Sequence, residues 1–207
     1  MTRIAALFLL AYMSLMAADF RPLFNGRNLD GWKMVGEGHF VVENGQMKTE
    51  GDMGLLYYER EKFGNCTIRV EFMTEQERGN SGVFIRIPEI RDDPWYAVNH
   101  GYEVQIDAGD NDWHATGTLY SLTKAMARPQ NPLGEWNTMD IVLDGLRTTV
   151  ILNGVTVTDF TPDQPVPERQ QWYEPERGPR PESGYIGLQT HDPDSVVYFR
   201  EVSVREN

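Results

Sequence analysis

Three polar residues alternate with apolar ones in the run Tyr102-Glu103-Val104-Gln105-Ile106-Asp107. Side chains two positions apart on a β-strand point to the same face, so Glu103, Gln105 and Asp107 form one polar row if this run is a strand. Two carboxyl groups and an amide on one face can transfer protons or hold hydroxyl groups. A solvent-facing strand surface has the same pattern, so the row alone is consistent with a site or with an exposed face.

Two further runs favour a site. The segment Asn80-Ser81-Gly82-Val83-Phe84-Ile85-Arg86 is predicted to be a strand on which Asn80 and Arg86 share a face. We expect Arg86 either to form a salt bridge with the carboxylates or to orient a substrate oxygen. Another predicted strand contains Gln189 and is followed by His191, which is the best acid or base candidate because imidazole titrates near neutral pH.

Aromatic side chains outside the predicted core are a third indication, because the apolar face of a sugar ring stacks on a flat aromatic ring. Each residue alone is consistent with ordinary packing. Together with the polar row they predict a carbohydrate cleft, with Tyr120 and Trp136 among its lining residues. The aromatic residues in or beside predicted loops are Trp95, Tyr96, Trp113, Tyr120, Trp136 and Trp172.

The acidic run Asp107-Ala108-Gly109-Asp110-Asn111-Asp112 is a candidate calcium site, since hard cations take clustered oxygen ligands. It lacks the flanking helices and the distal glutamate of an EF-hand loop, and acidic turns without a metal are common. The histidines do not have zinc-ligand spacing, and no nucleophile elbow, phosphate loop or nucleotide fingerprint occurs. We therefore expect no obligatory cofactor, and calcium is the one candidate cation.

The elements that must position these residues are predicted to be strands. Apolar and polar residues alternate from Phe40 to the C-terminus, and no window has a sustained helical period. Asn44-Gly45 and Asn153-Gly154 predict tight hairpins, because a type I′ turn needs positive φ at both central residues. About ten strands favour two packed antiparallel sheets, that is, a sandwich or jelly roll. The predicted strands are 40–43, 46–49, 66–73, 81–87, 102–107, 136–143, 148–152, 155–160, 185–190 and 196–204.

The segment 161–183 interrupts this pattern with six prolines, several charges and the pair Trp172-Tyr173. We predict a long surface loop. A loop of this length without its own secondary structure is a lid, a binding loop or disordered.

Charge and length limit the function further. Nineteen Lys and Arg against 31 Asp and Glu give a net charge of −12, which opposes binding to nucleic acid or to an anionic membrane surface. A neutral or cationic small molecule fits this charge better. We expect one domain over residues 19–207, and the sequence does not indicate an oligomeric state.

The first eighteen residues have the layout of a signal peptide. Arg3 precedes the apolar run Ile4 to Met16, and Ala17 and Ala18 follow it. We expect an exported protein, periplasmic or extracellular, without an integral membrane segment, because the run is too short to span a bilayer comfortably. With a single cysteine, Cys66, no intramolecular disulfide can form, and its place in an alternating strand predicts a buried thiol.

An ordered series of short segments resembles a known family. The segments are 24–26, 29–32, 80–86, 101–106, 116–120, 134–137, 152–154, 187–191 and 199–200. In this order they are similar to those of the exported 3-keto-disaccharide hydrolase family, also described as 3-keto-glucoside 1,2-lyase and 3-keto-2-hydroxy-glucal hydratase. The resemblance covers essentially the whole chain after residue 18, and it implies a concanavalin-like jelly roll with a site on its concave sheet.

The resemblance implies chemistry at a sugar whose C3 is a ketone. The ketone acidifies the C2 proton, its removal lets the C1 substituent leave by β-elimination, and water then adds back. Such a site needs a base for the C2 proton, an acid for the leaving oxygen and a donor to the ketone. The expected roles are Glu103 as acid or base with His191 as its partner, Arg86, Asn80 and Gln105 as oxygen binders, Asp107 as a second carboxylate or metal ligand, and Tyr120, Trp136 and Gln189 as substrate contacts.

Two other functions remain open at this stage. In an ordinary retaining glycosidase of the same fold, Glu103 and Asp107 would be nucleophile and acid. Four residues along a strand separate their Cα atoms by roughly 13 Å, so a carboxyl separation of about 5.5 Å is hard to reach. A carbohydrate-binding module would use the same aromatic and polar surface without an acid and a base.

Overall fold

The computed structural model describes residues 19–77, 79–107, 109 and 111–207. The signal-peptide prediction for residues 1–18 lies outside the described residues. No helix in the described ranges has the length and apolar composition needed to cross a membrane.

Two antiparallel sheets pack face to face, which confirms the predicted all-β jelly-roll sandwich. The larger sheet contains β1 (Arg21–Pro22), β3 (His39–Glu43), β4 (Gln46–Glu50), β6 (Cys66–Thr74), β9 (Asn137–Asp144), β10 (Arg147–Leu152), β11 (Val155–Phe160) and β13 (Val197–Glu206). The smaller sheet contains β2 (Trp32–Gly36), β5 (Gly54–Phe63), β7 (Asn80–Ile87), β8 (Tyr102–Asp107) and β12 (Gly184–Thr190). Their strand orders are β11-β10-β9-β6-β13-β4-β3, with β1 on β13, and β2-β5-β12-β7-β8.

Two hairpin turns set the register at the edges of the larger sheet. Asn44 and Gly45 join β3 to β4 with φ of 52° and 80°, and Asn153 and Gly154 join β10 to β11 with φ of 48° and 81°. Both central residues of each turn are left-handed, as a type I′ turn requires. The hairpins predicted at these two sites are confirmed.

The main core lies between the two sheets. The alternate residues Ile68, Val70 and Phe72 of β6 are fully buried, as are Val104 and Ile106 of β8. Each such side chain stabilises the fold by about 1.5–3 kcal/mol. Cys66 joins the same cluster, as predicted, and burial raises the pKa of its thiol to about 11.

A short helix, α1 (Pro94–His100), covers part of the other face of the smaller sheet. It packs Ala97 and Val98 on Tyr57 and Phe84 in a second apolar cluster. The helix begins where the Asp93 side chain accepts a hydrogen bond from the backbone of Trp95, and proline occupies its first turn. The helix was not predicted, because seven residues are too few to show a helical period.

Strands β2 and β5 were also not predicted. Leu55, Leu56, Tyr57 and Tyr58 of β5 are all buried, because the main core lies on one side of the strand and the α1 cluster on the other. A strand buried on both faces has no alternation of apolar and polar residues. The helix α1, which buries one face of β5, also forms part of the wall of the candidate site described below.

Arg86 does not have the position expected for it. It has φ of 56°, and the register between β7 and β12 shifts next to it, between Tyr185 and Gly187. This bulge turns its side chain off the face that Gly82 and Phe84 share. The expectation that Arg86 joins Asn80 on one face is therefore wrong.

The Arg86 side chain instead holds backbone together. It is 1% exposed, and its guanidinium donates hydrogen bonds of 2.7–3.1 Å to four carbonyl groups. Buried carbonyl groups need such donors when no strand partner is present. The acceptors are the carbonyl oxygens of Gly145, Arg147, Pro181 and Glu182.

We expect Arg86→Met to lower the free energy of unfolding by about 3 kcal/mol or more, because a buried polar group without a partner costs about 1–3 kcal/mol. Urea unfolding followed by far-UV circular dichroism measures this. Arg27→Met, at an exposed position, is the matched control and should stay within about 0.5 kcal/mol of wild type. Equal stability of the two variants would contradict the anchoring role of Arg86.

Candidate functional site

A cavity of about 470 Å³ lies on the face of the smaller sheet that is turned away from the main core. Strands supply a polar floor, and α1 and segment 161–183 supply an apolar rim. The floor is Asn80, Glu103, Gln105, Gln189 and His191; the rim is Trp95, Val98, Trp172 and Tyr173; Met53 and Tyr120 complete the lining.

Strand β8 supplies the centre of the floor. Glu103 is 8% exposed and Gln105 is 2% exposed, so the exposed-face interpretation is wrong for these two residues. Asp107, the third member of the row, lies beside the cavity and not in its lining. Its carboxyl group accepts a 2.7 Å hydrogen bond from the backbone of Gly109.

The carboxyl group of Glu103 lies against the backbone of β7 at Gly82. A Cβ atom at position 82 would come within 2.5 Å of Glu103 Oε1, so only glycine leaves room for it. No described residue gives this carboxyl group a side-chain hydrogen bond. Burial and, secondarily, the negative charge of Asp107 raise the pKa of Glu103 to about 8. At neutral pH the group is mainly protonated and can donate a proton.

Two amide oxygens on the floor have no hydrogen-bond partner within the described part of the chain. Gln105 donates through Nε2 to Asn80 Oδ1 at 2.9 Å, and Gln189 donates through Nε2 to the Met53 sulfur at 3.7 Å. Both Oε1 atoms are buried and unpaired. A buried acceptor without a donor costs about 1–3 kcal/mol, so a ligand that brings hydroxyl groups to these oxygens recovers that free energy.

His191 follows β12 and is held by its neighbour. Its Nδ1 lies 2.6 Å from Asp192 Oδ2, which also accepts a 2.7 Å hydrogen bond from Ser195 Oγ. A proton on Nδ1 that is donated to Asp192 leaves Nε2 as a proton acceptor. Burial acts most strongly on Asp192 and favours its neutral form, but the hydrogen bonds from His191 and Ser195 prevail and lower its pKa. Sequence analysis missed Asp192, for which the only signal was its position directly after a candidate histidine.

The rim contains exposed aromatic rings. Trp172 is 70% exposed, and its ring centroid lies 4.9 Å from that of Trp95 and 5.7 Å from that of Tyr173. Segment 161–183 has neither helix nor strand, which confirms the predicted surface loop. The loop places two aromatic side chains at the cavity.

Two arginines fasten this loop through backbone carbonyl groups. Arg177 donates to Pro167 and Pro175 at 2.8 and 2.6 Å, within the loop. Arg180 donates to Asn99 and Gly101, both at 2.8 Å, and so ties the loop to the end of α1. Contacts of a side chain with distant carbonyl groups have no sequence pattern, and for this reason sequence analysis missed both anchors.

Two predicted site residues lie elsewhere. Trp136 precedes β9 in the larger sheet, where the Arg200 guanidinium covers its ring at 4.4 Å, so its assignment to the cleft is wrong. Arg86 is absent from the lining for the reason given above. Tyr120 does line the cavity as expected, and its ring stacks on His114 at 4.7 Å.

The acidic run next to β8 is only partly described, because Asp110 lies outside the described residues. Asp112 forms ion pairs with Arg128 at 2.7 Å and Lys124 at 3.2 Å. Among the residues that the structure describes, no group of three or more His, Cys, Asp or Glu side chains is arranged to hold a metal ion. The expectations about calcium and cofactors stay predictions.

Comparison with known families identifies the chain. A model of the 3-keto-alpha-glucoside-1,2-lyase-like domain matches residues 19–205. The chain belongs to this family. The match covers both sheets and every lining residue of the cavity, and it confirms the resemblance found in the sequence.

The chain is similar in sequence to one characterised protein and in fold to several solved structures. A 3-keto-disaccharide hydrolase from Bacteroides thetaiotaomicron is 24% identical over 245 residues, covering 91% of this chain and 79% of the relative. A solved structure of a proposed glycosyl hydrolase from Parabacteroides distasonis has a TM-score of 0.74 and 24% identity, and covers 91% of this chain and 100% of that one. The carbohydrate-binding module CBM66 from Bacillus subtilis has a TM-score of 0.58 and 16% identity, with coverages of 85% and 96%.

We expect the stability of the protein to carry a pH dependence due to Glu103. Its pKa of about 8 in the folded state exceeds the usual value of about 4.3 for an unfolded chain. The folded state therefore binds this proton more tightly. The resulting stabilisation is complete below about pH 4.3 and is lost as the pH rises through 8.

Urea unfolding at several pH values between about 5 and 9 measures this effect. As the pH rises, the unfolding free energy of the wild type should fall relative to that of Glu103→Gln, because the amide does not titrate. Glu59→Gln, at an exposed position, is the control and should follow the wild-type profile. Parallel profiles for wild type and Glu103→Gln would rule out the raised pKa.

Proposed function

We propose that the protein is a carbohydrate-acting enzyme that cleaves the glycosidic bond of 3-keto-glucosides by β-elimination followed by hydration. The observation that carries this proposal is the pair of proton-transfer groups in one cavity: a protonated, buried Glu103 and a His191 that Asp192 orients. Membership of the 3-keto-alpha-glucoside-1,2-lyase-like family supports it. Export by way of the predicted signal peptide at residues 1–18 is part of the proposal.

Elimination needs a base and an acid at the same time. His191 accepts the C2 proton at Nε2, the electron pair of the C2–H bond forms the C1–C2 double bond, and the C1–O bond breaks. Glu103 gives its proton to the departing oxygen, so an alcohol leaves and the enone of the sugar remains. The raised pKa of Glu103 suits this role, because the carboxyl group must hold its proton at neutral pH.

Hydration returns both groups to their starting state. The Glu103 carboxylate takes a proton from water, the water oxygen bonds to C1, and His191 returns its proton to C2. The sum of the two steps is glycoside plus water giving 3-keto-glucose plus alcohol. The same two residues therefore serve both steps without a net change in the protein.

The remaining floor residues suit a sugar ring. The unpaired Oε1 atoms of Gln105 and Gln189 accept hydrogen bonds from its hydroxyl groups. Asn80 uses Oδ1 to accept from Gln105, which leaves its Nδ2 group to donate to the ketone oxygen. A fixed donor at this oxygen stabilises the negative charge that develops there when C2 loses its proton.

Two other functions fit the site less well. A retaining glycosidase needs a second carboxyl group about 5–5.5 Å from the first, whereas Glu103 is the one carboxyl group among the described lining residues and Asp107 lies outside the lining. A carbohydrate-binding module is favoured by the fold shared with CBM66 and by the exposed rim. It does not account for a buried acid and an oriented histidine in the same cavity.

We expect the protein to consume a 3-keto-glucoside and to leave its unoxidised parent unchanged, because only the ketone acidifies the C2 proton. Product analysis by mass spectrometry with both compounds at equal concentration tests this. Glu103→Gln should lower kcat by about 10²- to 10⁴-fold while substrate binding survives. Equal turnover of the parent would favour the retaining glycosidase, and saturable binding without product would favour the binding module.

The role of Asp192 can be tested separately. Asp192→Asn replaces an acceptor with an amide that can donate to Nδ1, which favours a proton on Nε2 and removes the base. We expect kcat to fall about 10²-fold or more with KM little changed, by analogy with other histidines oriented by a carboxylate. Asp194→Asn, an exposed neighbour, is the matched control and should retain wild-type kcat. A similar loss in both variants would argue for local disturbance of the turn and against orientation of His191.

A further inference from the structure

The rim differs chemically from the floor. Trp95, Val98 and Trp172 carry no hydrogen-bond acceptor, and Tyr173 adds one hydroxyl group. All the amide and carboxyl groups of the described lining belong to the floor. The cavity therefore has one end that can satisfy a polyhydroxyl ring and another that offers aromatic faces.

The exposure of Trp172 is costly unless a ligand covers it. An aromatic side chain buries 150–250 Å² when it is enclosed, yet the indole of Trp172 is 70% exposed beside a second tryptophan. The ring is not loosely attached, because Arg177 and Arg180 hold the loop that carries it. A fixed aromatic face loses little entropy on binding, which is the property of a stacking surface.

Resting on the proposed function, we propose that the rim is the leaving-group subsite and that it takes a planar aromatic aglycone. The keto-sugar occupies the floor, where Glu103 protonates the departing oxygen. The aglycone extends outward over the exposed ring of Trp172, which Trp95 and Tyr173 contact from the side. A second sugar ring can also stack one face on the indole rings, but its several hydroxyl groups meet rim side chains with almost no acceptor. An aromatic ring stacks on the indole rings without that loss.

Benzyl, cyclohexylmethyl and ethyl alcohol have similar acidity, so comparing them as leaving groups separates contact effects from chemical reactivity. We suggest 3-keto-glucosides, prepared as both anomers, that carry benzyl, cyclohexylmethyl, ethyl or glucosyl leaving groups. The wild type should show a kcat/KM for the benzyl compound about tenfold above that for the ethyl compound, since an aromatic contact contributes about 0.5–1.5 kcal/mol beyond burial. The cyclohexylmethyl compound, equal in size but not aromatic, should fall between them.

Trp172→Ala should remove this preference, so that the ratio of the benzyl to the ethyl kcat/KM falls from about ten to about one. Trp113→Ala is the matched control: Trp113 is also partly exposed, at 36%, but it lies in a separate depression with Leu122 and Met126. It should keep the benzyl preference. Because both tryptophans are exposed, neither variant should lose its fold, and circular dichroism checks this.

Three results would overturn the inference while leaving the proposed function intact. They are equal turnover of the benzyl and ethyl compounds, a benzyl preference that survives Trp172→Ala, and a ratio of glucosyl to benzyl kcat/KM that Trp172→Ala does not raise. Failure of all four keto-glucosides to react would contradict the proposed function itself, and the subsite with it.

Discussion

The carboxyl group of Glu103 lies against bare backbone at Gly82, and the site depends on this contact. A side chain at position 82 would push the carboxyl group off the sheet. Because the group is largely shielded from solvent and has no partner among the described side chains, burial raises its pKa and it keeps its proton at neutral pH. The raised pKa is thus due to the loss of contact with bulk water. The layer formed by α1 and segment 161–183 shields the carboxyl group from that water.

The backbone polar groups of that layer need hydrogen-bond partners although the layer contains no strands. Segment 161–183 is rich in proline and cannot build a ladder of backbone hydrogen bonds, so its carbonyl groups need other donors. Arg86, Arg177 and Arg180 supply them. Arginine suits this task because its five N–H groups spread over several acceptors at once. Three guanidinium groups therefore hold the loop that forms part of the site, although none of them belongs to the floor or the rim.

The sequence was sufficient where a residue's role follows from local geometry. The hairpins at Asn44 and Asn153, the β8 row at Glu103 and the loop containing Trp172 all obey rules of turn, alternation or composition. It was insufficient where tertiary contacts decide. Arg86 leaves its predicted face because of a bulge, Trp136 stacks on an arginine in the other sheet, and α1 is too short to have a period.

The full set of residues that form the floor was harder to predict than the residues at its centre. Alternation identifies Glu103 and Gln105, but it cannot show that Asp107, two residues further, lies past the end of the cavity. Nor can it show that Asp192 turns back to the histidine beside it. Both outcomes depend on where a strand ends and how the following turn folds, which alternation does not encode.

Segment 161–183 consists of a backbone that two arginines hold in place and a tip formed by Trp172 and Tyr173. Arg177 and Arg180 hold the backbone around the tip at Trp172 and Tyr173, and neither sheet uses the tip for packing. Substitutions at the tip should therefore affect folding mainly through the ring contact between Trp172 and Trp95. In evolution, and in a laboratory library randomised at these two positions, the polar floor would stay constant while the aromatic surface beside it changes.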